Sequence, residues 1–330
     1  MKAAFIRQTG SPDVIEFGDL PTPEPGPGQV LVRVAAVAVN PIDTYVRSGA
    51  VAMDLPDPFV IGSDLAGTVE RVGAGVTDFK PGMRVWGSNQ GLLGRQGTFA
   101  EYAAVDACWL HTLPDAVAAE DAAAVALVAI TAHLGLFRDA KLNEGETIVV
   151  IGGTGGVGSM VVQMAKLAGA KVITTAGSDA KVEIAKRLGA DEVIGYHRQP
   201  IGEALADLLP EGANVFWETR REPDFDLAVG ALAERGRMVL MAGRDARPPF
   251  PVGPFYVKEC SLHGMVMFKA SPAEVAAAAA DTNRWLEAGR LQANVSQRLS
   301  LEQAAEAHRM QEAATLHGNG DLAGKIVLSV

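Results

Sequence analysis

Along the first third of the chain, short β-branched runs alternate apolar and polar positions and are cut apart by glycine and proline. Gln29-Val30-Leu31-Val32-Arg33-Val34 follows Pro21-Thr22-Pro23-Glu24-Pro25-Gly26-Pro27-Gly28. That proline-rich stretch suits neither a helix nor a central strand, because proline has no amide proton to give. Gly67 to Gly73 alternates in the same way, and the turn Lys80-Pro81-Gly82 introduces Met83 to Gly87. Strands this short, at this spacing, predict a compact barrel-like β domain.

Near residue 120 the pattern changes. Ala122 to Phe137 is apolar and alanine-rich, long enough for a largely buried helix. Beyond it strand and helix patterns alternate: Thr147 to Ile151, Ser159 to Ala168, Lys171 to Thr175, Asp179 to Leu188. That alternation is the signature of βαβ units and a parallel sheet. Further strands are predicted at Asn214 to Trp217, Arg237 to Met241, Ser261 to Met267 and Lys325 to Ser329, with an alanine-rich helix over Pro272 to Ala288.

Composition narrows the functions. The 330 residues suffice for two domains with their own cores, and 48% hydrophobic with 21% charged residues is the balance of a soluble globular protein. A net charge of −10 with dispersed Lys and Arg disfavours nucleic acid as a partner. Two cysteines, Cys108 and Cys260, build no disulfide framework, which suits a reducing cytoplasm. The N-terminus lacks the apolar core of a signal peptide, and no long uninterrupted apolar run predicts a membrane span.

The sharpest motif is Gly153-Thr154-Gly155-Gly156-Val157-Gly158, directly after the apolar strand Ile148 to Ile151 and opening a helix. Glycine there lets the main chain turn tightly and approach a pyrophosphate, and the helix N-terminus offers free N–H groups to that anion. A dinucleotide site follows. NAD sites usually carry Asp or Glu at the tip of the second strand to take the ribose hydroxyls. Here Lys171 to Thr175 runs into Ala176-Gly177-Ser178, and Ser178 with Lys181 could hold a 2′-phosphate. Ser178 could equally cap the next helix, with Lys181 solvated, and Asp179 stands one residue late. NADPH is the favoured cofactor.

Three segments together resemble one family: Asn40-Pro41-Ile42-Asp43-Thr44-Tyr45-Val46-Arg47-Ser48-Gly49, Gly62-Ser63-Asp64-Leu65-Ala66-Gly67, and the glycine loop. They are similar to the zinc-free, zeta-crystallin-like quinone oxidoreductases of the medium-chain dehydrogenase/reductase superfamily. The resemblance spans nearly the whole chain and implies an α/β fold: a GroES-like β-barrel-type catalytic domain plus a Rossmann domain with a doubly wound parallel sheet. With the change of pattern near residue 120, it places the catalytic domain at 1–122 and 267–330 and the Rossmann domain at 123–266.

The same resemblance assigns roles. Asn40 and Tyr45 would line the pocket for substrate and nicotinamide, Thr131 would approach the nicotinamide, and Tyr196 would lie against the adenosine. Ala242-Gly243-Arg244, Met267 and Phe268 would cover the nicotinamide ribose and carboxamide, and Lys325 joins the cofactor contacts. Zinc alcohol dehydrogenases of the superfamily carry Cys where this chain has Asn40 and Gly-His-Glu where it has Gly62-Ser63-Asp64, so no metal is expected. Val51 stands where these reductases tend to carry a second Tyr, and Phe216 to Arg221 departs from their acidic-then-glycine pattern, which leaves the substrate open.

The expected chemistry is hydride transfer from NADPH to a quinone or enone held about 3–3.5 Å away in a dry cleft. Tyr45 and Asn40 would donate hydrogen bonds to the developing oxyanion. An enone or alkene reductase is the nearer alternative, and a non-catalytic NADPH-binding protein, structural or RNA-associated, the more distant one. Relatives form homodimers through the edge represented here by Ser261 to Phe268.

Overall fold

In the computed structural model, which describes residues 1–316, 318 and 322–330, the chain opens with β1 (Lys2–Ile6), β2 (Glu16–Asp19) and the eleven-residue β3 (Gln29–Val39). A short helix α1 (Pro41–Ser48) follows, then β4 (Phe59–Val60), β5 (Leu65–Val72), β6 (Arg84–Gly87), β7 (Tyr102–Asp106) and β8 (Leu110–Thr112). β3 organises this region: its first half is paired on one edge with β5 and on the other with β7, both antiparallel. Val30, Val32, Val37 and Val39 along it are fully buried. β1 lies in a separate small sheet, in the order β2-β1-β4.

Helix α2 (Ala119–His133) runs into a wider π-helical turn over Leu134–Asp139. The widening has a steric partner: a Cβ on Gly135 would lie 2.3 Å from the Trp217 ring. The segment Ala119–Asp139 is long and apolar enough to cross a bilayer, but 78% of its most apolar window is buried inside the protein. The chain divides inside this helix into two compact units, Met1–Ile130 with Ala270–Val330, and Thr131–Lys269. The pattern of the sequence puts the breaks at 122/123 and 266/267, whereas the units divide inside α2 after Ile130 and again after Lys269.

The second unit alternates β9 (Thr147–Val150), α3 (Gly156–Leu167), β10 (Lys171–Ala176), α4 (Asp179–Arg187), β11 (Glu192–Gly195), α5 (Ile201–Leu208), β12 (Ala213–Glu218), α6 (Phe225–Ala231), β13 (Leu232–Leu240), α7 (Val252–Val257) and β14 (Ser261–Gly264). Its strands form one parallel sheet in the order β11-β10-β9-β12-β13-β14. The inner strands β9 and β10 are covered on both faces, which is why Ile148-Val149-Val150 and Val172-Ile173 read as apolar runs. The chain winds outward from β9 to β11 and then crosses back to β12, so the C-terminal ends of β9 and β12 flank the switch point where ligands bind in open α/β sheets. Several boundaries differ from the sequence reading, the largest differences in this unit being three. α3 starts at Gly156 and not Ser159, β13 starts at Leu232, and the last strand stops at Gly264.

The return to the first unit comprises α8 (Pro272–Glu287), β15 (Val295–Ser300), α9 (Ala304–Leu316) and β16 (Lys325–Ser329). β16 completes the large sheet by pairing antiparallel with the second half of β3, Ile326 opposite Val39 and Ser329 opposite Ala36. The chain's two ends are thereby stitched into one core.

Candidate functional site

At the end of β9 the backbone turns through Gly152, whose φ of 75° is costly for any residue with a Cβ. The glycines that follow differ in why they must be glycine. A Cβ on Gly153 would lie 2.1 Å from Thr174 Oγ1, and one on Gly158 would lie 2.2 Å from the Gly152 carbonyl oxygen. Both are demanded by packing of the protein on itself. Gly155 is not: its φ and ψ of −71° and 174° suit any residue, and its nearest neighbour to a Cβ would be the Gly152 oxygen at an ordinary 3.4 Å. Gly155 caps α3 without a side chain, so backbone N–H groups face outward there for an incoming anion. Thr154 is buried, while Gly156 and Val157 are half-buried.

One strand over, Ser178 caps α4, its hydroxyl accepting from the Lys181 N–H at 3.4 Å. Gly177 leaves the space that Tyr196 uses: a Cβ there would fall 2.3 Å from the Tyr196 hydroxyl. The next two residues were not anticipated. His197 Nε2 lies 2.7 Å from Asp179 Oδ1, and the Arg198 guanidinium donates to the same oxygen. The His197 hydrogen bond, with the Arg198 charge, holds the Asp179 carboxyl below its usual range. The signal was present in Tyr196-His197-Arg198, a basic pair at the tip of the third strand.

At the end of β12, Glu218 is completely buried and held by Arg220, whose Nε and Nη2 donate to its two oxygens at 2.9 and 2.6 Å. Thr219 Oγ1 donates to Ile151 O at 2.6 Å, tying this loop to the glycine turn. Gly243, at φ 85°, closes on Arg221 and Pro223. Ala242 is half-buried beside it and Arg244 exposed; Met267 is buried and Phe268 half-buried in the turn after β14. Thr131 is buried in α2.

The first unit holds a different assembly, a polar cluster at zero to a few per cent exposure. Asn40 caps α1: its N–H donates to Asp43 Oδ2 at 2.8 Å, and its main-chain carbonyl accepts from the Asp43 N–H at 3.0 Å. Its Nδ2 donates to Asp64 Oδ2 at 2.7 Å, and its Oδ1 accepts from the Lys325 ammonium. Lys325 also donates to Val39 O at 2.7 Å and stands 3.8 Å from Asp64. Ser63 and Ser88 donate to Asp43 and Asp64, each at 2.6 Å. Burial pushes the Asp43 carboxyl up to about 7, against the Ser63 hydrogen bond. Burial also raises Asp64 and lowers Lys325, the mutual attraction of those two opposing both shifts. Tyr45, half-buried, lies one turn along α1, which ends at Gly49 in the left-handed conformation.

The structure thus brings the glycine loop, Gly177, Ser178, Lys181, Tyr196 and Ala242–Arg244 to the C-terminal edge of the sheet in one unit. It brings Asn40 and Lys325 together in the other, with Tyr45 one turn along α1 from Asn40. Asn40 and Lys325 arrive with their hydrogen-bonding groups committed to protein partners. The sequence expects Asn40 to donate to substrate and Lys325 to touch cofactor; the side-chain hydrogen bonds the structure gives them are to Asp64, Ala38, Val39 and each other. A zinc ion does not fit this cluster, whose centre already holds an ammonium and whose donors include no thiolate or imidazole. Among the described residues no group of three or more His, Cys, Asp and Glu side chains converges.

Two family models match: alcohol dehydrogenase GroES-like domain over residues 26–115, and zinc-binding dehydrogenase over 156–282. Human quinone oxidoreductase is 30% identical over 330 residues, covering 99% of this chain and 97% of that protein. Among solved structures, an NAD-dependent alcohol dehydrogenase superposes with a TM-score of 0.90 at 34% identity, and mycobacterial Rv1454c complexed with NADPH with 0.87 at 31%; each covers 100% of both chains.

Proposed function

Since the chain belongs to the quinone oxidoreductase family of the medium-chain dehydrogenase/reductase superfamily, we propose that it is an NADPH-dependent, zinc-independent reductase of quinones or related small conjugated carbonyl compounds. The observation that carries the reading is Gly155, a glycine that packing does not require, at the half-buried N-terminus of α3 on the switch-point edge of the sheet. The glycine turn and α3 would hold the pyrophosphate, and Tyr196 over Gly177 the adenosine. Bound there, the nicotinamide supplies a hydride.

The preference for the phosphorylated dinucleotide rests on the tip of β10. It carries no carboxylate, and the late Asp179 is already paired with His197 and Arg198. Arg198 and Lys181 give a phosphate its cations, His197 offers a ring nitrogen beside them, and Ser178 keeps its O–H to donate. In the first unit, Tyr45 donates to the substrate oxygen as it gains charge, while Asn40 acts as the cap that places it. The buried lysine in the acidic cluster supplies the compensating charge that a zinc ion would otherwise bring. The protein acts as a cytoplasmic homodimer. β14 is the outer strand of its sheet, and Leu262 and Val266 are about two-fifths exposed, as Val252, Tyr256 and Val257 in α7 are more fully.

The test is NADPH oxidation with benzoquinone, naphthoquinone and a simple enone, before and after chelation with metal analysis. Turnover with a conjugated acceptor, unchanged by chelation, is expected. Tight NADPH binding without turnover of any of them would instead favour a non-catalytic dinucleotide-binding protein. Tyr45→Phe should lower kcat/KM about tenfold or more with NADPH affinity nearly intact, and wild-type kinetics would remove Tyr45 from the mechanism.

A further inference from the structure

Lys325 is a cationic residue at the head of an otherwise apolar strand, almost wholly buried, and the chemistry above gives it no contact with a ligand. Burying an ammonium costs several kcal/mol, and a well-packed apolar side chain often serves stability as well or better. What a lysine can do and an apolar residue cannot is select the orientation of an amide.

An ammonium only donates, a carboxylate only accepts, and an asparagine side chain does both from opposite ends. The Asn40 amide lies between the Lys325 ammonium on its oxygen and the Asp64 carboxylate, 2.7 Å from its nitrogen. Only one of its two orientations satisfies both. Asn40 is also the cap of α1, its N–H donating to Asp43 Oδ2. At eight residues, α1 is too short to hold itself, so its first turn depends on that cap and on packing.

We infer that Lys325 is a positioning residue: by fixing the Asn40 amide between itself and Asp64, it sets the first turn of α1 and hence the place of Tyr45. The inference rests on the proposed role of Tyr45. Ser63 and Ser88 brace the carboxylates from the far side, so the cluster is anchored from β3, α1, β16 and the segments beside β5 and β6.

The experiment compares wild type, Lys325→Met, Lys325→Arg and Asp64→Asn/Lys325→Met, the last removing both charges in case the single variant does not fold. Each is labelled with 3-fluorotyrosine, and the Tyr45 resonance is assigned through Tyr45→Phe. In Lys325→Met, and equally in the double variant, the Tyr45 resonance should shift or broaden while those of Tyr102, Tyr196 and Tyr256 stay in place. The kcat should fall about tenfold with KM and NADPH Kd within about twofold, and Lys325→Arg should recover most of the loss. An unmoved Tyr45 resonance in folded Lys325→Met overturns the inference. So does a loss of NADPH affinity with kcat intact, which would give the ammonium to the dinucleotide. The two readings fail separately: if Tyr45→Phe turns over normally, its catalytic role falls, while a displaced resonance in Lys325→Met still supports the positioning.

Discussion

Substituting alanine at two glycines three residues apart should give opposite phenotypes. At Gly158 the new Cβ would stand 2.2 Å from the Gly152 carbonyl oxygen and 3.0 Å from Gly153 Cα, both backbone atoms of a turn that cannot swing aside. Overpacking of this kind costs about 1–3 kcal/mol, and sometimes more, because contact distances are near 3.5 Å. At Gly155 the backbone is already extended and the nearest atom is 3.4 Å away. Alanine there restricts the unfolded chain, a gain of about 0.4–1 kcal/mol, and is a poorer cap than glycine by a similar amount. Its stability effect should nearly cancel. Its Cβ would, however, occupy the approach of the pyrophosphate, and a loss of about 1.4–2.8 kcal/mol in binding is a ten- to hundredfold rise in Kd. Thermal denaturation of the free protein and fluorescence titration with NADPH measure the two quantities separately. Gly158→Ala should melt several degrees lower, whereas Gly155→Ala should melt with wild type and bind NADPH poorly. Gly155→Ala that binds as wild type does would refute the assignment of that glycine to the ligand.

Lys181→Ala and Arg198→Ala should each raise the KM for NADPH about tenfold and leave NADH kinetics nearly unchanged; equal effects on both cofactors would remove them from phosphate recognition. Acid stability should follow the buried histidines. Burial holds His308 down to about 3 and His111 to about 4, from 6.5 when unfolded. Both therefore stabilise the fold above pH 6.5, and that contribution is lost as pH falls through this window; Asp43, raised to about 7, acts in the opposite sense. Denaturant melts at several pH values should show His308→Leu losing less stability on acidification, by about 1.4 kcal/mol per pH unit between 6.5 and 3, and parallel curves would contradict the assignment. Leu262→Glu, on the exposed edge strand, should shift the mass in solution from dimer to monomer; an unchanged mass by light scattering would place the interface elsewhere.

How much of this was legible in the sequence depended on where each element gets its stability. β9, β10 and β12 were readable because strands covered on both faces concentrate apolar side chains, as in Ile148-Val149-Val150, Val172-Ile173 and Val215-Phe216-Trp217, and the glycine turn follows the first of them directly. β4, with two residues, and β11, with four, gave no periodicity to read; they exist because β1 and β10 pair with them. α3 was started three residues late because Gly156 and Gly158 discourage a helix by propensity, and close packing on Gly152 outweighs that. The Asn40 cluster was invisible to any local rule, since its members are 24 and 285 positions apart. Its only trace was charge in the wrong surroundings: Asp64 before Leu65-Ala66, and Lys325 before Ile326-Val327-Leu328.

The residue types expected to touch ligand are separated by what hydrogen-bonding capacity the fold leaves them. Ser178 was read either as a helix cap or as a phosphate ligand, and the two are compatible. Capping uses one lone pair of the hydroxyl, accepting from Lys181, and leaves the O–H to donate. Asn40 and Lys325 show the reverse. The amide's oxygen is taken by Lys325 and its nitrogen by Asp64, with Ala38 O a further 3.4 Å contact; the ammonium donates to Asn40 and Val39 and stands in an ion pair 3.8 Å from Asp64. Each would have to break a buried hydrogen bond to reach a substrate, leaving an orphaned partner at a cost of about 1–3 kcal/mol. Under the proposed function, direct contact with the acceptor is therefore assigned to Tyr45 on the helix that they hold.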